Sequence, residues 1–440
     1  MKKSSISYAL RLTILLGLPA AVYAADASVE AGGTATESAF SLTLQELQDA
    51  ARATHPGLQS TRLQQQAAQQ DVSVAERQRW PQLSAVVESH SNSVGSELMQ
   101  VLRVNQTVWD GGYRSARIET ARAQEASSEA SVQLEQQGVE LQLVDAWHKL
   151  RSAVERKRIA QATLEKLQGY QRQMQRRIRA QASPQIDLEL VNARVLQTEV
   201  DLVGAQELMH TAVSQLEQLS GLPDLNQRLT HLPSLPGSVD IQNFSRLLDQ
   251  SDWRNTADTH ASVQRARHEW EVSQHQLEAK RAEQWPQAYV RVDQPLIKSN
   301  DLYGSTEPRL FLGLQYTPGA GFANLVETEA MASRMESQQQ RIEAARREVL
   351  LSLSSDVENF TSARSRLQAL EKSEQGSEQV LASYTRQFQA GRKSWQDVLN
   401  ALREQAQNQY SLADARVAMT AAMYRLSVRL NLAAQGIAQD

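Results

Sequence analysis

Cysteine is missing from all 440 residues. That excludes disulfide frameworks, cysteine zinc sites, thiol nucleophiles and a lipid-bearing N-terminal cysteine. Glycine (19) and proline (11) are scarce, together about 7% of the chain against an average near 12%. So few breakers cannot punctuate an all-β chain with a turn every ten or so residues, and long helices are expected. Aromatics stand at 5%, which is lean for a large globular core. Beyond the N-terminus no apolar run reaches the ~18 residues that a membrane-crossing helix needs. Length alone, at roughly 150 residues per domain, suggests about three domains.

The N-terminus reads as an export signal, residues 1–24. Lys2, Lys3 and Arg11 precede a short apolar stretch, Leu12 to Ala21, and Val22-Tyr23-Ala24 offers small residues for cleavage near Ala24. The stretch is about half the length of a membrane span. Cleavage there lowers the formal net charge from −4 to about −7, which argues against nucleic-acid binding.

What the chain does have is repetition. Ala75 to Gln82 (AERQRWPQ) recurs as Ala279 to Gln287, Gln106 to Tyr113 (QTVWDGGY) as Gln315 to Phe322 (QYTPGAGF), and Ala180 to Asp187 (AQASPQID) as Ala390 to Asp397 (AGRKSWQD). Three matches in one order predict two equivalent halves, residues 25–222 and 239–440, with a Pro-containing connection at 223–238. Each half opens with a helical stretch (about Leu42–Arg79 and Val239–Glu283) closed by Trp80-Pro81 or Trp285-Pro286, because proline disfavours helix at the residue before it. Two strands follow, within 83–108 and 288–316. The clearest alternates Leu310, Leu312, Leu314 and Tyr316 with Arg309, Phe311, Gly313 and Gln315. Such strands have the length of barrel strands that cross a bilayer. Their joining loops are expected at Asn92–Glu97 and Ile297–Pro308.

Long helical hairpins, 113–220 and 321–432, then start after Gly111-Gly112 and after Gly319-Ala320-Gly321. Their turns are expected near Ala182–Pro184 and Gly391–Ser394. Leu188, Val191, Val195, Thr198, Leu202, Ala205, Met209, Ala212, Leu216 and Leu219 alternate spacings of three and four, a heptad seam. Val398, Ala401, Leu412, Ala415, Met419, Ala422 and Leu426 keep it loosely in the second half.

Four strands cannot close a barrel, and open edges in lipid leave backbone groups unsatisfied. Three copies would supply twelve strands, a viable closed barrel. The expected fold is therefore mainly α with a small β part: a homotrimeric twelve-stranded β-barrel continued by an α-helical coiled-coil barrel. Searches for catalytic motifs fail. His268-Glu269 begins like a zincin motif, but Val272 stands where its second histidine belongs, and Gly319-Ala320-Gly321 is followed by Asn324 where a dinucleotide fingerprint needs glycine. No enzyme activity, metal or cofactor is expected.

The order helix, Trp-Pro-Gln, strand pair, Gln-x-x-x-Asp-Gly-Gly, long helix, Ala-Gly-x-x-x-x-x-Asp-Val-Leu-x-Ala resembles the TolC family of outer-membrane efflux proteins over about residues 42–432. The resemblance implies a homotrimer in Gram-negative outer-membrane lipid with a periplasmic helical tunnel. Its partners would be a periplasmic adaptor (membrane fusion protein) and an inner-membrane ABC transporter or proton-driven pump. By position, Asp397 matches the first carboxylate ring at the family's periplasmic aperture, and Asn400 stands at the second. Phe388 falls where a constriction tyrosine can stand. Lys393 falls where an arginine can lock the tip, with Asp187 of the other hairpin as its partner. Asp187 and Asp397 also fit plain helix capping or first-turn charge. Ala182, Ser183, Pro184, Gly391, Arg392 and Ser394 would face the adaptor. Trp80 and Trp285 suit a membrane interface or core packing at the bend. Many drug-efflux members of the family carry a lipidated cysteine, so its absence favours type I protein secretion (toxin, protease or large adhesin). Small-molecule drug or metal efflux is the alternative, and a soluble periplasmic coiled-coil tether the rival of another class.

Overall fold

A computed structural model describes residues 43–92, 95–228, 238–296 and 307–431. The export signal, most of the 223–238 connection and most of the loop expected at 297–308 lie outside the described residues.

Ten helices and four strands follow one another among the described residues. The first half holds α1 (Leu44–Thr54), α2 (Pro56–Arg77), β1 (Gln82–Asn92), β2 (Gly95–Trp109), α3 (Tyr113–Arg179) and α4 (Gln185–Ser220). After α5 (Leu225–Arg228), the second holds α6 (Ser238–Gln250), α7 (Trp253–Thr256), α8 (Ala261–Ala282), β3 (Gln287–Pro295), β4 (Arg309–Gln315), α9 (Ala323–Gln389) and α10 (Trp395–Leu430). Lengths match in pairs: α3 and α9 have 67 residues each, and α4 and α10 have 36 each. A 67-residue helix is about 100 Å long at 1.5 Å per residue.

Three expectations need correction. The opening helix is not continuous from 42 to 79. It breaks at His55, held extended (ψ 121°) because Pro56 follows it and disfavours helix there. The opening helix of the second half breaks more widely. Asp252 caps the short α7, Ala257–Thr259 forms a 3-10 turn, and His260 (ψ 140°) caps α8 with its ring. The first strand pair also runs beyond its expected ends. Asn92 and Gly95–Glu97, read as loop, lie in strands paired Asn92↔Gly95 and His90↔Glu97.

The four strands make one antiparallel sheet in sequence order. Its register gathers most of the aliphatic side chains on one face, where Gln106 and Gln294 also fall, and most of the charged ones on the other, with Val101 and Phe311. Leu83, Ala85, Leu102, Val104, Ala288, Val290, Val292, Leu310, Leu312 and Leu314 share one face. Arg103, Asn105, Thr107, Tyr289, Arg291, Asp293, Arg309 and Gln315 share the other. On the apolar face Leu312 is 78% exposed and Leu83 65%. A sheet in water does not leave that face bare, whereas lipid against it and water against the other match the two chemistries. Among the described residues no helix is long and apolar enough to cross a membrane.

The helices form layers rather than a closed bundle. Toward the sheet the order is α2–α3–α8–α9, and toward the far end α4–α3–α10–α9. Val191, Val195, Thr198, Ala205, Ala212 and Leu216 of the predicted seam are buried against α3. The opposite face of α4 still shows Ile186, Leu196, Val200 and Val203 to solvent. Both layers, like the sheet, end in uncovered edges.

Candidate functional site

The two hairpin turns lie side by side at the end opposite the sheet and close in the same way. In the first, Gln181 takes a positive φ (54°), and the Ala182 N–H returns to the Arg177 carbonyl at 2.8 Å. In the second, Gly391 takes φ 74°, and the Arg392 N–H returns to the Gln387 carbonyl at 2.9 Å. This left-handed stop satisfies the last carbonyls of a helix. Pro184 and Ser394 then open α4 and α10. Ala182, Pro184, Gly391, Arg392 and Ser394 are exposed and Ser183 half-buried, so the residues assigned to adaptor contact form one accessible tip.

Asp397 is a cap. The Ser394 hydroxyl accepts from the Asp397 N–H at 3.2 Å, and the Asp397 carboxylate accepts from the Ser394 N–H at 3.1 Å and its hydroxyl at 2.7 Å. That reciprocal box satisfies two otherwise orphan donors at the start of α10. The bonds from the Ser394 hydroxyl and then from its backbone N–H hold the Asp397 carboxyl below the ordinary carboxylate range, and the charge of Lys393 adds to them. Lys393 sits 4.0 Å from Asp397 and 4.4 Å from the centre of the Tyr384 ring. The ion pair described for Lys393 within one chain is thus with Asp397, not with Asp187. Asp187 occupies the first turn of α4, where its charge suits the helix dipole. Asn400 is exposed one turn beyond Asp397.

Phe388 does not line the surface. It is buried (7% exposed), with its ring 5.0 Å from that of Trp395 and under the Arg177 guanidinium at 4.7 Å. Trp395 in turn meets Tyr170 edge-on. Tyr170 and Arg177 belong to the first hairpin, Phe388 and Trp395 to the second, so this cluster is the tie between the tips. Sequence reasoning overlooked Trp395. The available signal was a tryptophan inside an otherwise polar turn.

At the sheet end, chain direction reverses at Gly111 (φ 63°) and Gly112 (φ 94°). Asp110 accepts from the N–H groups of Gly112 (3.1 Å) and Arg114 (3.3 Å) and from Arg114 Nε (2.6 Å), while Arg114 Nη2 donates to the Thr107 carbonyl at 2.8 Å. A Cβ on Gly111 would stand 3.1 Å from Trp285 Cβ. Gly319 and Gly321 take positive φ at the matching turn before α9, where Asn324 Nδ2 donates to the Thr317 carbonyl at 3.1 Å in place of the Asp110 cap. Pro81 is exposed and Pro286 half-buried beside their tryptophans. Trp80 is 74% and Trp285 61% exposed, so the reading of these indoles as core packing at the bend does not hold within one chain.

Residues 47–222 match the family described as "Outer membrane efflux protein". No curated protein matches the sequence. In fold, the chain is similar to a membrane protein from Pseudomonas aeruginosa (TM-score 0.75, 17% identity, 88% of this chain and 90% of that one). It is similar to CusC, whose structures describe transmembrane channel formation (0.76, 15%, 88% and 91%). It is also similar to the outer membrane protein VceC of Vibrio cholerae (0.75, 16%, 88% and 95%).

Proposed function

We propose that this chain, a TolC-like outer-membrane efflux protein, is the exit duct of a tripartite export machine and works as a homotrimer. The observation that carries the reading is the pairing of open edges. One four-stranded sheet and two helix layers all stop without a covering neighbour, while the sheet keeps an apolar and a polar face. Open strand edges are not tolerated in lipid. Three copies joined edge to edge satisfy them with a twelve-stranded barrel and a continuous helical tube. The matched lengths of α3 with α9 and of α4 with α10 support two structural repeats, 25–222 and 239–440, after removal of a signal at 1–24.

In this reading the hairpin tips meet a periplasmic adaptor, and an inner-membrane ABC transporter supplies the energy. The cargo is a polypeptide secreted by the type I route, a reading favoured by the absence of a lipid-bearing cysteine. Small-molecule efflux through a proton-driven pump is the second reading, and the "efflux" in the matched family's description favours it. The secreted-protein profile of a deletion strain, with complementation, separates them. Loss of one large protein from the medium or cell surface identifies the polypeptide cargo. An unchanged profile with increased drug or metal susceptibility overturns type I secretion in favour of efflux.

A further inference from the structure

We infer that the hairpin tips carry a basic collar that docks an acidic helical partner. Its members are Arg172, Arg176 and Arg179 on α3, with Arg386 and Arg392 on the second hairpin. The inference rests on the duct reading above, in which the tips meet a periplasmic adaptor. It gives the docking end of that adaptor its chemistry: carboxylates spaced along a helix.

The charge is local. Residues 172–192 hold Arg172, Arg176, Arg177 and Arg179 against Asp187 and Glu189. Residues 382–402 hold Arg386, Arg392 and Lys393 against Asp397 alone. Seven cations thus meet three carboxylates, a surplus of four, in a chain whose formal net charge is −4. The next two turns of the same four helices reverse the balance. Residues 165–171, 193–199, 375–381 and 403–409 hold three cations (Lys166, Arg194 and Arg403) and four carboxylates. The excess ends where the tips end.

Two of the seven cations are engaged inside the molecule. Arg177 lies over the Phe388 ring at 4.7 Å and donates from Nε to Ser183 Oγ at 3.1 Å, and Lys393 is 4.0 Å from Asp397. The collar is the remaining five. All five are exposed, and among the described residues none of their side chains forms an ion pair. Arg172, Arg176 and Arg179 stand at intervals of four and three on one face of α3, where like charges a turn apart destabilise a bare helix. The helix dipole favours cations in the last turn, which accounts for Arg176, Arg179 and Arg386. It does not account for Arg172, which precedes that turn, or for Arg392, which follows the end of α9. An external polyanion answers all five.

The shape of the collar selects among polyanions. The stripe on α3 runs along the side of the helix for about 10 Å at helical rise. A helix laid beside it, with carboxylates a turn apart, meets each guanidinium, and the arginine fork suits a carboxylate through two parallel bonds. A flat anionic surface meets the end of the tip and leaves Arg172 behind. The ring contacts of Trp395 with Tyr170 and Phe388 hold both hairpins in one frame, so the cations are presented together before the partner arrives. Opposite charge on that partner steers the encounter.

The test uses the purified oligomer and two synthetic helical hairpins that differ only in their tip turns, one bearing glutamates and the other glutamines. Binding is read by fluorescence anisotropy, and channel steps in a planar bilayer are read on the same preparation. The glutamate hairpin is expected to bind and the glutamine hairpin not, with binding that weakens as salt screens exposed charges. Arg172→Gln with Arg176→Gln and Arg179→Gln is expected to weaken it by about tenfold, several individually weak exposed pairs being lost together. Arg386→Gln with Arg392→Gln gives a smaller loss and serves should the triple variant fail to assemble. Equal binding of the two hairpins, or binding that neither set of variants weakens, overturns the collar while wild-type channel steps leave the duct standing. Binding to phosphatidylglycerol vesicles without binding to the glutamate hairpin also overturns it and assigns the charge to a membrane surface. Wild-type protein without channel steps overturns the duct and the collar with it.

Discussion

The ring of Trp395 stands edge-on to that of Tyr170, with centroids 5.2 Å apart and planes at 88°, so the second hairpin is tied to the first at its tip. Trp395 is 3% exposed, and replacing a buried tryptophan by alanine costs about 3–5 kcal/mol. Trp395→Ala is expected to lower amide protection across Met174–Ala180 and Gln387–Asp397 while leaving the sheet unchanged, as read by hydrogen exchange. Single-channel conductance rises in the same variant if the tie restrains the aperture.

Acid is expected to loosen the start of α10. The folded Asp397 carboxyl titrates below its ordinary 3.8 because of the bonds from Ser394. A depressed carboxyl contributes stability that is present above the ordinary value and is lost as pH falls through the folded one. Protection of the Asp397 and Val398 amides should therefore decline in that acid window, and Asp397→Asn should abolish the pH dependence. Ser394→Ala removes the other half of the box and costs ~1 kcal/mol.

Gln181 and Gly391 hold the same left-handed place in the two tips, with φ 54° and 74°. Side chains are strained there by about 1–2 kcal/mol. Gln181→Gly is expected to be neutral or mildly stabilising, because released strain is offset by added freedom of the unfolded chain. Gly391→Gln is expected to destabilise its tip by ~1 kcal/mol. Limited proteolysis at the two turns ranks the variants.

Gly111→Ala meets two obstacles together, positive φ and a Cβ 3.1 Å from Trp285 Cβ and 3.3 Å from the Ala282 carbonyl. The expected loss is about 2 kcal/mol, seen as a lower thermal midpoint. Gly112→Ala, with open space around its Cβ, loses only the backbone part.

The hairpins were legible because the chain from Tyr113 to Ala180 has no proline and because α4 buries one heptad stripe. The same method fails on α3. That helix packs against α1, α2, α4, α8 and α10, so its buried residues, from Ala116 to Met174, share no single stripe. The break at Pro56 was present in the sequence but was masked by the helical pattern on both sides. At the tip, capping of α10 could be read from Ser394 and Asp397, three residues apart. The burial of Phe388 could not, since it depends on Arg177 of the first hairpin and on Trp395 across the tip turn of its own. The Arg103–Asp293 pair spans 190 residues, and only strand register brings its members together.

The central claim is that three chains close what one leaves open. Light scattering of the detergent-extracted membrane protein, corrected for bound detergent, measures the number of chains per particle directly. The account predicts three, in a particle that alkali does not release from membranes. A single chain that washes free without detergent would contradict it and return the molecule to a periplasmic tether.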